Sequence, residues 1–190
     1  MTRITSGFPG SLTLKVPSAG TRPTSDRVRE AMFSALEARD AIDGSRVLDL
    51  YAGSGALALE AISRGAASAV LVEKSYGAAQ VCKSNAALVS GRAARGERPS
   101  IQVVGKAATS YLSSALDEFD LVFIDPPYDV GGLELDHVLE GLAPRLAPDA
   151  VVALERSSRS PEPAWPTGLE LDKVSRYGET AVYWLSRVAD

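Results

Sequence analysis

Cysteine and histidine are almost missing from this chain. It has one of each, Cys82 and His137, in 190 residues. A lone cysteine excludes an internal disulfide and a cysteine-built metal centre. A lone histidine argues against a histidine zinc site and against a Ser-His-Asp triad. No apolar run approaches the roughly 18 residues that a bilayer span requires. The opening MTRITSGFPG lacks the apolar stretch of a signal peptide, so a cytoplasmic location is the expectation. An excess of positive charge is also missing. The formal net charge is −4, which argues weakly against a partner gripped through its phosphates. The deficit is uneven, however. Residues 1–30 hold Arg3, Lys15, Arg22, Arg27 and Arg29 against Asp26 and Glu30, so a basic end of +3 sits on a body of −7.

What is present suffices for one domain with a sizeable core, since 45% of the residues are apolar. Leu12, Leu14 and Val16 alternate with Ser11, Thr13 and Lys15 after a turn signal at Gly7, Pro9 and Gly10. That pattern predicts a β-hairpin arm over residues 1–20, with the main domain spanning 21–190. Residues 23–38 read as a helix with Ser25 or Asp26 as cap and Val28, Met32 and Leu36 on one face. Strands at 46–52, 68–74, 101–104, 119–125 and 150–155 then alternate with helices at 55–64, 76–90, 107–117 and 133–147. Continuous apolar strands separated by helices predict an α/β fold with a parallel sheet covered on both faces. Residues 169–177 and 180–188, joined near Gly178, predict an antiparallel hairpin at one edge. The expected sheet is therefore seven-stranded and mostly parallel.

The first of these strands empties into 49-DLYAGSGALALEA-61. Gly53, Gly55 and Ala58 fit G-x-G-x-x-A between a strand and a helix. Glycines there allow a tight turn and close approach of a ligand to the backbone. Twenty residues past Gly53 stands Glu73, placed to accept both hydrogen bonds of a ribose diol. A dinucleotide and S-adenosylmethionine both fit this pattern, as does a plain tight turn with a surface glutamate. Asp49 separates the two cofactors. A carboxylate at the strand end accepts from an α-ammonium and repels a pyrophosphate.

The fourth of these strands ends in 120-DLVFIDPPYDVGG-132. In an open parallel sheet, ligands bind beyond the carboxyl ends of the strands, so Asp125-Pro126-Pro127-Tyr128 belongs beside the glycine loop. The tetrapeptide suits an exocyclic amino group of a nucleobase, whose lone pair is delocalised into the ring. The Asp125 carboxylate and the Pro126 carbonyl offer acceptors for its two N–H bonds. The prolines fix that carbonyl because their φ is fixed. Tyr128 offers a face on which a base can stack. The competing reading is a proline turn that merely stops a strand.

Asp125–Tyr128 resembles the [DNS]-P-P-[YF] motif of S-adenosylmethionine-dependent amino-group methyltransferases, and 49-DLYAGSGAL-57 resembles their cofactor loop. More narrowly, 22-RPTSDRVREAMFSAL-36 and 177-YGETAVYWL-185 are similar to the RsmD family, which methylates N2 of a guanine in 16S ribosomal RNA. The resemblance runs from about residue 4 to 188. It implies a Rossmann-like class I methyltransferase fold. It also implies 16S rRNA, in the small ribosomal subunit or an assembly intermediate, as substrate. By that resemblance Asp49, Ala52, Gly53 and Gly55 hold the methionine end of the cofactor, Glu73 the ribose, and Pro23, Thr24 and Arg27 close over it. Lys74 and Tyr51 flank the cofactor. Asp125, Pro126, Pro127 and Tyr128 hold the guanine, and the N-terminal hairpin grips RNA through Arg3, Lys15 and Arg22. The nearest alternatives are a DNA adenine N6 or protein glutamine N5 methyltransferase, an NAD-dependent oxidoreductase, and an RNA-binding assembly factor without catalysis.

Two departures from the family pattern stand out. Ala107 occupies the place of an expected acid near the adenine, which leaves recognition there to backbone groups of Lys106, Ala107 and Ala108. The arm 7-GFPGSLTLK-15 is less basic than the family's, and Arg92, Arg95 and Arg98 are candidates to compensate. Cys82, inside the helix 76–90, reads as packing, His137 as a surface residue, and Trp165 and Trp184 as core or lid aromatics. No metal is called for, and nothing demands a partner chain, so a monomer is expected.

Overall fold

The computed structural model describes residues 2–8, 10–17, 26–94, 98–127 and 130–188. Two two-residue strands, β1 (Thr2–Arg3) and β2 (Thr13–Leu14), precede α1 (Asp26–Glu37). Then follow β3 (Arg46–Leu50), α2 (Ala56–Ser63), β4 (Ser68–Val72), α3 (Tyr76–Ser90), β5 (Ser100–Val104) and α4 (Ala108–Leu112). The chain ends with β6 (Phe119–Ile124), α5 (Gly132–Leu142), β7 (Leu146–Ser157), β8 (Leu169–Tyr177) and β9 (Thr180–Arg187). The last seven strands form one sheet in the order β5-β4-β3-β6-β7-β9-β8. β3 to β7 pair in parallel, and β9 pairs antiparallel with both β7 and β8. This is the expected Rossmann-like sheet with its antiparallel edge hairpin.

Alternation along the strands explains the layers. Val47 of β3 faces one side with Ala69, Leu71, Leu121 and Phe123, under α1, α2 and α3. Leu48 and Leu50 face the other side with Val122 and Ile124, under α4 and α5. With both faces covered, almost every strand position is apolar. Buried acids interrupt this pattern at Asp49, on the α2 side of β3, and at Glu155 in β7.

Three elements differ from their expected lengths. The helix expected over 107–117 stops at Leu112, where the hydroxyls of Ser113 and Ser114 donate back to the carbonyls of Ser110 and Tyr111. The helix expected to 147 ends at Leu142 and tightens into a 3-10 turn over Ala143–Arg145, with Pro144 unable to continue the α-helical ladder. The following strand is consequently longer than expected, from Leu146 to Ser157.

The N-terminal hairpin shares the domain's core. Ile4 and Leu14 are 0% and 1% exposed and join Val28, Met32, Phe33 and Leu36 in one cluster. Its turn docks on α2. The Phe8 N–H donates to the Ser63 carbonyl at 3.1 Å, and a Cβ on Gly7 would overlap that same carbonyl. Fully buried Glu60 accepts from Thr5 N at 2.8 Å, Thr5 Oγ1 at 2.6 Å and Ser6 N at 3.1 Å. Arg64, one helical turn on, pairs with Glu60 at 2.8 Å and with Glu37 of α1 at 2.6 Å.

Candidate active site

The winding of the sheet reverses between β3 and β6. From β3 the chain steps outward to β4 and β5, then returns to place β6 on the other side of β3. A crevice opens at such a switch point, beyond the carboxyl ends of the two strands. Leu50 of β3 is in register with Ile124 of β6, so the loops after residues 50 and 124 leave side by side.

The loop after β3 is held by side chains from three elements. Asp49 Oδ2 accepts from the Ala58 N–H at 3.1 Å. The N-cap of α2 is Gly55, which has no side chain, so Asp49 performs the capping role from the strand. Glu73, just past β4, accepts from Gly53 N at 2.9 Å and from Ser75 N at 2.7 Å, one bond per oxygen. Asn85 of α3 donates to the Ser54 carbonyl at 2.8 Å. Gly55 has φ +80°, and a Cβ there would lie 2.8 Å from Leu71 Cδ2 and 3.0 Å from Cys82 Sγ. Only glycine meets both demands.

Carboxylates converge on this turn. Burial pushes the Asp49 carboxyl up to about 8, against the Ala58 hydrogen bond, and the charges of Asp125 and Glu73 raise it further. Asp49 therefore stands within electrostatic reach of both other acids. Three acidic side chains about one glycine turn suit a cationic ligand, which draws Asp49 toward ionisation, and the charges of Glu73 and Asp125 oppose a pyrophosphate at this strand end.

The loop after β6 begins at Asp125, whose N–H lies 3.5 Å from the Leu50 carbonyl. Pro126 is buried and Pro127 exposed, and the Pro127 carbonyl accepts from Val130 N at 3.0 Å. Tyr51 adopts φ +63°, a left-handed conformation rare outside glycine. Its hydroxyl donates to Glu134 Oε1 at 3.0 Å on the first turns of α5. Arg156, near the end of β7, reaches the Val130 carbonyl at 3.4 Å.

The remaining candidates spread outward. Ala52 and Gly53 are buried in the loop, while Lys74 is exposed beside Glu73. Lys106 is exposed, with its N–H turned back onto the Val104 carbonyl at 3.1 Å. Ala107 is the N-cap of the five-residue α4, and Ala108 is buried. Arg27 is exposed on the first turn of α1. Arg3 and Lys15 are exposed on the docked hairpin. Arg92 and Arg98 flank the α3–β5 connection, at the amino edge of the sheet and so at the end opposite Asp125. Arg22, Pro23, Thr24, Arg95 and Tyr128 lie outside the described residues. Cys82 is fully buried, and burial pushes its thiol far up. It packs directly beneath Gly55, closer to the loop than its helical position suggested. His137 is exposed. Trp184 is buried in the core, and Trp165 meets Tyr183 in a tilted ring contact with centroids 5.6 Å apart.

Four residues of this neighbourhood escaped the sequence reading: Glu60, Asn85, Glu134 and Arg156. Two had a signal. Glu60 is the one charge in the apolar run ALALEAIS, and Asn85 lies on the stripe formed by Cys82, Ala86 and Val89. A polar side chain on an apolar stripe is buried and must find partners.

Comparison with known proteins agrees with this geometry. A family model described as conserved hypothetical protein 95 matches residues 2–186. Ribosomal RNA small subunit methyltransferase D of Escherichia coli K12 is 36% identical over 178 residues, covering 93% of this chain and 85% of the relative. The solved structure of the E. coli protein yhhF superposes with a TM-score of 0.81 at 33% identity, covering 99% of this chain and 98% of that one. A hypothetical protein of Thermus thermophilus superposes with a TM-score of 0.80 at 30% identity, over 99% and 100% of the two chains. The sequence match across nearly the whole chain shows that it belongs to the RsmD family of small-subunit ribosomal RNA methyltransferases.

Proposed function

We propose that this protein transfers a methyl group from S-adenosylmethionine to the exocyclic N2 amino group of a guanine in 16S rRNA. The substrate would be presented by the small ribosomal subunit or an assembly intermediate. The observation that carries the reading is the adjacency of Asp49 and Asp125 at the β3/β6 switch point. One carboxylate anchors a cofactor and the other meets a substrate, with the glycine loop between them.

The residues present fit this cofactor. Its methionine end carries an ammonium beside a sulfonium, the cationic character that Asp49, Glu73 and Asp125 favour. Gly53 and Gly55 leave the backbone open to close approach. Glu73 spends one lone pair of one oxygen on Gly53 of the loop and one of the other on Ser75 at the start of α3, which leaves acceptor capacity for the ribose hydroxyls. When bound, S-adenosylmethionine supplies an electrophilic methyl on a sulfonium.

The chain's own residues do the rest. Asp125 and the Pro126 carbonyl accept the two N–H bonds of the amino group and favour a more tetrahedral nitrogen. Its lone pair then points toward the cofactor side of the crevice. Holding both reactants in line supplies much of the rate. Positive charge develops on nitrogen, where the Asp125 carboxylate is already aimed, and the same carboxylate takes up the proton that the nitrogen sheds. The proline pair keeps the carbonyl in place. Tyr128 would stack on the base, and Pro23, Thr24 and Arg27 would close over the cofactor. Arg3, Lys15 and Arg22 would contact RNA from the hairpin side, while Arg92, Arg95 and Arg98 would reach only RNA that extends past the amino edge. A monomer in the cytoplasm suffices for this chemistry.

The test uses tritiated S-adenosylmethionine with three acceptors: small subunits lacking modification at the target guanine, naked 16S RNA, and duplex DNA. Label in 16S RNA mapped to guanine N2 supports the reaction and the substrate. Label only in DNA, or none despite cofactor binding, discards the rRNA reading.

A further inference from the structure

Asn85 joins two segments that the reaction would otherwise leave unconnected. Its side chain is fully buried on α3. Oδ1 accepts from the Lys15 N–H at 2.9 Å, and Nδ2 donates to the Lys15 carbonyl at 2.9 Å and to the Ser54 carbonyl at 2.8 Å. Both amide protons are therefore used. Pairing with the N–H and the C=O of one residue is what a neighbouring strand does, and it fixes the plane of the chain at Lys15. Ser54 sits between the two glycines of the loop. The other two side chains holding that loop, Asp49 and Glu73, come from strand ends within the sheet. Asn85 is the side chain among these three that also holds the hairpin.

We propose that Asn85 is a positioning residue that couples the cofactor loop to the N-terminal hairpin. Cofactor on the loop and RNA on the hairpin side then strengthen each other's binding. The inference rests on the reading of residues 51–56 as the cofactor loop. Its physical basis is shared ordering. A ligand that fixes the Ser54 peptide fixes the Asn85 amide, and that amide fixes Lys15, so the second ligand meets a segment already ordered. The coupling is reciprocal by thermodynamic necessity. A packing role alone would not need this arrangement, because an apolar residue on the Cys82, Ala86 and Val89 stripe would fill the space.

The experiment compares full-length protein with Asn85→Asp, which keeps the shape and the acceptor for Lys15 N–H but loses both donors. Affinity for S-adenosylhomocysteine is measured with and without unmodified small subunits, and amide exchange is followed at Lys15 and at residues 53–55. In the wild type, S-adenosylhomocysteine should slow exchange at both places, and small subunits should tighten its binding several-fold. In the variant that factor should fall to about one. The KM for S-adenosylmethionine should rise at least tenfold, with a smaller change in kcat at saturation. Retained coupling in the variant, or wild-type protection confined to residues 53–55, overturns the proposal. Should the variant not fold, the wild-type exchange pattern decides alone. A wild type that binds no cofactor analogue overturns the reading of the loop, and the inference with it.

Discussion

The Tyr51 hydroxyl donates a 3.0 Å hydrogen bond to Glu134 Oε1, tying the start of the glycine loop to the first turns of α5. Asp125 leaves β6 beside Leu50, and Gly131 caps the start of α5. Burial first, and then the Glu134 carboxylate, push the Tyr51 hydroxyl far up, so it stays a donor at any working pH. Tyr51→Phe removes the bond and keeps the ring. The expected cost is about 1 kcal/mol, or a Tm lower by roughly 2–4 °C. The larger effect should fall on RNA turnover. If the segment after Asp125 holds the base as proposed, loosening one of its anchors should lower kcat severalfold and leave cofactor affinity nearly unchanged, as steady-state kinetics with calorimetry would read.

Asp49 should make cofactor binding depend on pH. Its carboxyl is held at about 8 in the folded protein against 3.8 as a free side chain. The folded state therefore keeps a proton that the unfolded state releases, and stability falls as pH rises from about 4 to about 8. A cationic ligand reverses the preference and draws the carboxyl toward ionisation. Below pH 8, binding of S-adenosylmethionine should expel a proton, and its affinity should rise with pH until it levels near 8. Calorimetry in buffers of different ionisation enthalpy counts that proton. Asp49→Asn should weaken binding at least tenfold and abolish both the proton release and the slope. An unchanged slope in the variant would assign the titration to another group.

Glu60 carries the docking of the hairpin. It is fully buried, paired with Arg64, and accepts from three groups of Thr5 and Ser6. Glu60→Ala leaves those donors and the largely buried guanidinium short of a partner. Breaking a buried pair costs about 3 kcal/mol or more, which corresponds to a Tm lower by roughly 6–12 °C. Thermal unfolding measures the loss, and exchange at Thr5 and Ser6 should rise well before the rest of the chain opens. Gly7→Ala should give the same local signature, because a Cβ there would overlap the Ser63 carbonyl.

The sequence reveals the strand ends of this fold well and the long-range side-chain contacts poorly. Glu73 and Asp125 are legible because each closes an apolar run, and Asp49 because it interrupts one at its carboxyl end; in a parallel sheet all such ends share one edge. Gly55 is legible because the turn leaves no room for a Cβ. Asn85 and Glu60 are not placed by any local rule. Their partners lie 70 and 55 residues away, and only the polar interruption of an apolar stripe hints that partners exist. The hairpin reads as an arm for a related reason. Alternation over residues 11–16 predicts a strand with one apolar face but says nothing of what covers that face. Ile4 and Leu14 turn out to be covered by α1. Helix ends depart from expectation where serine hydroxyls or Pro144 stop a run that hydrophobic periodicity alone would continue.

Asp125 gives the sharpest test of the chemistry, because two of its roles separate. As acceptor for the amino group and for the charge that develops on nitrogen, it should matter to turnover. Asp125→Asn should lower kcat by about 100-fold or more, the usual scale for removing a preorganised electrostatic partner. As a neighbour of Asp49, it helps to raise that carboxyl. Removing its charge should let Asp49 ionise at lower pH. The pH at which cofactor binding levels off should therefore move down in Asp125→Asn, while affinity at pH 8 and above stays within a few-fold of wild type. A variant that loses turnover with no such shift would mean that Asp125 acts on the substrate alone. A variant that keeps near-normal turnover would remove the carboxylate from the mechanism altogether.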